Sequence, residues 1–346
     1  MSSYYRERLS LYSALCELTY TCNLKCFHCY NTHQNIIEQD FSFWSHTLDQ
    51  LADLGCLHLT LSGGEPLLNK NFSRILEYAK KKHFALTIFS NATLINRTLA
   101  LEWSRLGVLE VSTSLFSAHP LIHDSITGKT GSHAQTLRGI EILVEQGLRV
   151  RVKCLLIKSN FDTYPEVADL CETMGVDLSF DTTLMPGGGN NTSLLNQRLT
   201  PEQLKKALAD PLVLHLSGNP LEYDGGHPAG PVENQHQLLC GAGITFLSIN
   251  PYGDVYTCVQ QQKPLGNLKL QSLQEIWESS VELNNLRNRQ VSDLHTCASC
   301  QHNTYCGRCP ALAEKEDGDH LGPSSHACQT SKVLHEIFSE KLNIVS

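Results

Sequence analysis

Apolar residues recur along the first half of the chain in two alternating rhythms. Short runs rich in β-branched and aromatic residues occupy 14–20 (ALCELTY), 57–63 (LHLTLSG), 84–90 (FALTIFS), 109–115 (LEVSTSL), 148–157 (LRVRVKCLLI) and 176–182 (VDLSFDT), and each predicts a strand. Between them, apolar residues fall three and four apart over 72–80, 99–107, 136–147 and 164–175, the spacing of one helix face. Gly107, Gly147 and Gly175 stand where such helices need a left-handed cap. This alternation predicts parallel strands joined by crossover helices, in either a barrel or an open doubly wound sheet. Within the strands, Glu17 and Thr19 share one face opposite Cys16 and Leu18; Arg149, Arg151 and Lys153 oppose Val150, Val152 and Cys154. The apolar face belongs under the helices and the polar face looks into a site.

Past residue 183 the rhythm stops. Residues 184–239 are rich in Gly, Pro, Asn and Gln, with one helix opened by Thr200 and Pro201, and read as a linker. From Cys240 onward seven cysteines surround a hairpin pattern over 243–258. The organisation expected is therefore an α/β unit over 1–186, a bridging region over 187–239, and a cysteine-rich unit over 240–346 that ends in a helix.

Charge and composition narrow the classes. A formal net charge of −8 with no dense Lys/Arg block argues against a nucleic-acid binder. No run of 18 apolar residues predicts a membrane span, and the start carries no secretory h-region. Fourteen cysteines in such a chain point to metal binding rather than disulfides, and to a reducing cytoplasm.

Three of those cysteines crowd the loop after the first strand, as Cys22-x3-Cys26-x2-Cys29. In parallel α/β sheets ligands collect at the carboxyl ends of strands. A structural zinc site wants four ligands closed tetrahedrally, which this spacing lacks nearby. Three thiolates there can hold three irons of a [4Fe–4S] cube, leaving the fourth iron to a ligand that is not protein, with zinc as the alternative. Ser62-Gly63-Gly64-Glu65-Pro66 follows the second strand. Its glycines let backbone approach a ligand closely, and Glu65 offers an acceptor to an ammonium group.

The cysteine stretch, with His28 between its last two thiols, resembles the CxxxCxxC motif of the radical S-adenosylmethionine (SAM) superfamily, and Gly63 to Pro66 resembles that family's GGEP motif. Ser90-Asn91-Ala92-Thr93 is similar to its TNGT stretch, with Ala92 in place of glycine. Ser114, His123-Asp124 and Asn160 also fall where the family places recurring residues. The resemblance implies a partial (β/α)6 TIM-like barrel with a [4Fe–4S] cluster on Cys22, Cys26 and Cys29. SAM would chelate the free iron and lie against His28, Gly63, Gly64, Glu65, Pro66, Ser90, Asn91, Ser114 and Asn160. Reductive cleavage of SAM to a 5′-deoxyadenosyl radical, which takes a substrate hydrogen, is the activity implied.

Cys240, Cys258, Cys297-x2-Cys300-x5-Cys306-x2-Cys309 and Cys328 resemble the SPASM extension of peptide-modifying members, although that family usually closes on C-x3-C. The resemblance implies one auxiliary [4Fe–4S] cluster on Cys297, Cys300, Cys306 and Cys328. A second would sit on Cys240, Cys258 and Cys309, its fourth ligand open between substrate, water and a residue such as His236. Cys16, Cys56, Cys154 and Cys171 are expected to be buried structural thiols. Lys153 and Asp181, on the inward face, are the candidates for direct action on substrate, with Glu17, Arg151 and Thr183 beside them; a salt-bridged barrel interior explains them nearly as well.

The tail over 307–329 is similar to peptide maturases related to the pyrroloquinoline quinone pathway. The expected substrate is a ribosomally made precursor peptide, modified by crosslinking, epimerisation or backbone rearrangement. Some 13 residues precede the first strand, too few for a leader-binding domain, so a separate PqqD-like leader-recognition protein is expected. An external electron donor such as flavodoxin or ferredoxin completes the set, with neither nucleic acid nor membrane as partner. Two alternatives are a radical SAM enzyme acting on tetrapyrrole side chains of the haem pathway and a non-catalytic zinc-binding module.

Overall fold

The structure, a computed structural model, describes residues 8–31, 38–216, 240–261 and 263–345. His236 and most of the segment expected to bridge the two units lie outside the described residues. Six parallel strands, β1 (Ser13–Glu17), β2 (His58–Ser62), β3 (Ala85–Phe89), β4 (Glu110–Ser114), β5 (Val150–Leu155) and β6 (Asp177–Asp181), run side by side in chain order. The helices between them are α1 (Phe41–Asp53), α2 (Phe72–Lys81), α3 (Arg97–Leu106), α4 (Pro120–Thr127), α5 (Ser132–Glu145) and α6 (Tyr164–Met174). The sheet is curved around one face but does not close, so the fold is a partial barrel.

Local chemistry sets the element ends. Asp40 caps α1 by accepting the Phe43 N–H at 2.9 Å. Gly107, Gly128 and Gly175 close α3, α4 and α6 in the left-handed conformation. The alternation along β5 separates its faces: Val150, Val152 and Cys154 are buried under helices, whereas Arg151 and Lys153 face inward. Cys16, Cys56, Cys154 and Cys171 are all buried, with burial driving their thiols far from ionisation.

The C-terminal hairpin does more than open a second unit. Its first strand, β7 (Phe246–Ile249), pairs in parallel with β1, and β8 (Asp254–Tyr256) and β9 (Gly266–Asn267) continue the same sheet antiparallel. The order is thus β6-β5-β4-β3-β2-β1-β7-β8-β9. Nothing local in the sequence marks a partner more than 200 residues away in the chain, which is why the reading stopped at a hairpin. Further on, α7 (Pro201–Ala209) and α8 (Pro211–Leu216) precede the hairpin. Behind it come α9 (Leu273–Ser279), α10 (Val281–Arg287), α11 (Pro310–Asp317) and α12 (Ser325–Val345). Thr200 and Gln203 form a capping box at the start of α7. No helix among the described residues is long and apolar enough to cross a membrane.

Candidate active site

The loop carrying Cys22, Cys26 and Cys29 leaves the carboxyl end of β1 and is held from three sides. Gly64 N–H donates to Thr19 O at 2.7 Å and Glu65 N–H to Thr21 O at 2.9 Å. Asn91 Nδ2 donates to Asn23 Oδ1 at 2.8 Å, and Asn23 Nδ2 to Thr93 Oγ1 at 2.8 Å. Lys25 and Phe27 N–H groups donate to Thr127 O and Ile126 O at the end of α4. Segments that follow β2, β3 and β4 thus converge on one loop. Asn23 and Asn31, which sequence reasoning passed over, are part of the clamp; Asn31 Nδ2 reaches Gly63 O at 3.2 Å.

The glycines of the GGEP stretch let the chain itself pass close by. Gly63 has φ +143°, and a Cβ on it would lie 2.2 Å from Thr19 O; one on Gly64 would lie 2.5 Å from Thr21 O. Only glycine permits this contact. Glu65 is fully buried, and Ser90 Oγ, Asn91 N and Leu67 N all donate to its carboxylate at 2.8–3.2 Å. Three donors leave one of the carboxylate's four acceptor directions for a SAM ammonium. Burial nevertheless pushes its carboxyl up to about 7, against the pull of those donors. Pro66 opens the short 3-10 turn that Glu65 caps. Ala92 takes φ 61° where the family has glycine, so the turn after β3 keeps its left-handed shape. Asn160 is also buried: its Nδ2 donates to Phe116 O at 2.7 Å and Leu155 O at 2.9 Å, and its Oδ1 accepts from Ile157 N at 2.8 Å. It braces the ends of β4 and β5.

A cavity of about 1460 Å³ is lined by inward residues of β2 to β6 and also by Ala168, Asp169 and Glu172 of α6. His28, Tyr30, Ser114 and Phe116 line its mouth beside the cysteine loop, and Lys153 and Asp181 line its interior. Below these, Arg151 donates to Glu110 at 3.1 Å and Arg149 to Asp177 at 2.7 Å, so the deeper charges neutralise one another. Lys153 is different. Its Nζ lies 3.7 Å over the Phe89 ring with no carboxylate in ion-pair range among the described residues. Burial lowers its amine and raises the Asp181 carboxyl, although each pulls the other back toward charge. Both side chains open into the cavity and reach solvent through it. Thr183 N–H donates to Asp181 Oδ1 at 2.7 Å. Glu17, buried at the end of β1, accepts from Tyr30 OH at 2.9 Å and Tyr20 OH at 3.1 Å. Burial raises it to about 7 in spite of those bonds. His28 is pushed down to about 4 by burial, and its Nδ1 has no partner.

Burial raises all three loop thiols, Cys26 to about 12, and the neighbouring thiols add to the rise at Cys22 and Cys26. Three crowded sulfurs in that state become thiolates only when a cation neutralises them. The C-terminal thiols form two such groups. Cys258 is raised to about 11 by burial and by Cys240 and Cys309. Cys306 is raised to about 11 by burial and by Cys328, Cys297 and Cys300. Among the described residues no three His, Cys, Asp or Glu side chains are placed to hold a metal ion. Soft thiolate donors gathered in groups of three and four suit an iron–sulfur cluster chemically.

Comparison with known proteins follows this geometry. Residues 16–173 match the radical SAM superfamily and residues 240–301 match the SPASM iron–sulfur cluster-binding domain. The chain thus carries a radical SAM domain and a SPASM domain, a pair that implies [4Fe–4S] clusters. It is 29% identical over 300 residues to the antilisterial bacteriocin subtilosin biosynthesis protein AlbA of Bacillus subtilis, covering 85% of this chain and 66% of that one. The chain therefore spans about two thirds of that relative's length. It is 25% identical over 325 residues to the AdoMet-dependent heme synthase of Methanosarcina barkeri, covering 88% and 93%. The fold matches Streptococcus suis SuiB bound to its precursor peptide SuiA with TM-score 0.73 and 18% identity, over 92% of this chain and 76% of that one.

Proposed function

We propose that this protein is a radical SAM enzyme that modifies a ribosomally synthesised precursor peptide. The observation that carries the reading is the convergence of three strand-end segments on the Cys22–Cys29 loop at the mouth of a large charged cavity. Cys22, Cys26 and Cys29 would hold the SAM-binding cluster. Cys297, Cys300, Cys306 and Cys328 would hold one auxiliary cluster, and Cys240, Cys258 and Cys309 the other. Bound and reduced, such a cluster with SAM supplies a 5′-deoxyadenosyl radical for hydrogen abstraction.

The chain's own groups do the positioning. Glu65 fixes the Ser90–Asn91 turn against the cysteine loop, and Gly63, Gly64 and Pro66 seat that turn's neighbour. Asn160 fixes the β4 and β5 ends, while His28 and Ser114 face the space where SAM would lie. Lys153 Nζ and Asp181 Oδ are the groups able to hold or move a proton beside a substrate in the cavity. The cavity's volume admits a peptide side chain with room to turn. One relative named for the biosynthesis of the bacteriocin subtilosin and one structure bound to the precursor peptide SuiA support a peptide substrate. Crosslinking, epimerisation and backbone rearrangement all begin with the same hydrogen abstraction. A PqqD-like leader-binding protein and a flavodoxin or ferredoxin are the partners in this reading. A reducing cytoplasm suits fourteen cysteines that form no disulfide, and the barrel over 1–186, bridge over 187–239 and cluster unit over 240–346 are its working parts.

A tetrapyrrole substrate is the second reading, favoured by the heme synthase match across 93% of that relative. Anaerobic reduced protein given SAM should release 5′-deoxyadenosine, and the C22A/C26A/C29A variant should release none. Turnover persisting in that variant would refute the site. Mass change in a co-expressed precursor peptide, against no change in a tetrapyrrole substrate, separates the two readings.

A further inference from the structure

Lys315 lies on α11, the helix whose N-terminus is capped by Cys309. Its Nζ donates to Gln260 Oε1 at 3.0 Å. Gln260 in turn stands two residues past Cys258, and its backbone N–H bonds the Cys258 sulfur. The same glutamine lines the barrel cavity. One hydrogen-bonded pair therefore joins the helix of Cys309, the strand exit of Cys258 and the cavity wall. The thiols whose charge reaches the Lys315 amine are Cys258 and Cys309, two of the three in that group. In the four-thiol group the corresponding cation is Lys332, which acts on Cys328.

Reducing an iron–sulfur cluster adds negative charge to a site already ringed by thiolates. A cation fixed in partly buried surroundings favours the reduced form, because the field between them is only weakly screened. Reduction potential follows net charge and hydrogen bonding at the sulfurs. A flexible lysine on the surface would average this effect away; the bond to Gln260 holds the ammonium in place.

We propose that Lys315, held by Gln260, is a positioning residue that raises the reduction potential of the iron–sulfur site formed by Cys240, Cys258 and Cys309. The proposal rests on the reading of those three thiols as cluster ligands. A raised potential would poise this site, beside the cavity wall, as the cluster that takes up an electron most readily.

The test uses the full chain purified anaerobically with its clusters, titrated potentiometrically and followed by electron paramagnetic resonance. The signal belonging to this site is the one absent from the C240A/C258A/C309A variant. In K315M that signal's midpoint should fall by about 59 mV or more, a tenfold change in a one-electron reduction equilibrium. K315R should restore it, Q260A should move it part of the way, and K332M should leave it in place. An unchanged midpoint in K315M at full iron content would overturn the role of Lys315 alone, as would equal shifts in every signal. If K315M loses iron, Q260A and K315R decide in its place. A C240A/C258A/C309A variant that keeps every signal and its full iron would overturn the ligand assignment and the proposal together.

Discussion

His123 accepts the Phe116 N–H through Nδ1 at 3.2 Å, while its Nε2 is sealed from water without a partner. A proton on Nδ1 would break that bond, and charge on the ring would sit in an apolar pocket. Burial accordingly holds the imidazole down at about 4, with His133 adding to the effect and Asp124 opposing it. The unfolded chain binds that proton near pH 6.5. Above 6.5 both states are neutral and the stability is fully present; as pH falls from 6.5 toward 4 the unfolded state gains a proton the folded state refuses, and stability is lost. The slope is up to about 1.4 kcal/mol per pH unit for one group. His28 and His326, also lowered to about 4 by burial, act in the same direction. In H123Q the fall in unfolding free energy across that window should be shallower than in the wild type, measured by denaturant titration of metal-free protein. Parallel pH profiles would count against the buried neutral ring. The identity of His123 as a recurring residue was readable from the sequence; its role as a neutral acceptor was not, because that depends on which backbone N–H the fold delivers to it.

The segments that follow the strands were more legible than the contacts they make. Periodicity placed all six barrel strands and four of their helices but not α1 or α4, and the cysteine spacing singled out one loop. Glycine in GGEP, however, signals only that backbone comes close, not whose. Here it is Thr19, Tyr20 and Thr21 of the cysteine loop's own approach. The same close contact recurs where Gly139 on α5 meets the turn at Ala92, with space for no side chain: a Cβ would lie 2.1 Å from Ala92 O. Such contacts give a sharp expectation. In G64A a methyl group would lie 2.5 Å from Thr21 O and 2.7 Å from Tyr20 O, both backbone atoms that have no rotamer to yield. The loop must shift, at about 1–3 kcal/mol for overpacking of this kind. The variant should keep its far-UV circular dichroism yet bind less iron than the wild type after anaerobic reconstitution. A full iron complement in G64A would show that the loop tolerates displacement.

At the scale of the whole molecule, the parallel β1–β7 pairing decides how the barrel and the cysteine-rich unit depend on each other. Leu247, Ile249, Val255 and Ile276 belong to the same buried core as Leu59, Leu61 and Trp44. Trp277 Nε1 donates to Leu9 O at 3.1 Å, and Leu273 N–H to Gln50 Oε1 at 2.7 Å, so α9 is fastened to the start of the chain and to α1. On the far side Arg198 grips Glu316 through two bonds, both residues largely buried. An arginine–carboxylate pair with two parallel bonds is geometrically specific, and breaking it inside protein leaves a charge unpaired. A chain cut after residue 239 would lose all of these at once. It would expose the hydrogen-bonding edge of β1, an ungated template for pairing with other chains, together with the apolar surface that β7 and α9 cover. The 1–239 fragment should therefore aggregate or elute as a broad high-mass species in size-exclusion chromatography, and should show no cooperative thermal transition. A monomeric fragment with a sharp transition would mean that the barrel holds its own core and that the shared sheet is an attachment rather than a requirement.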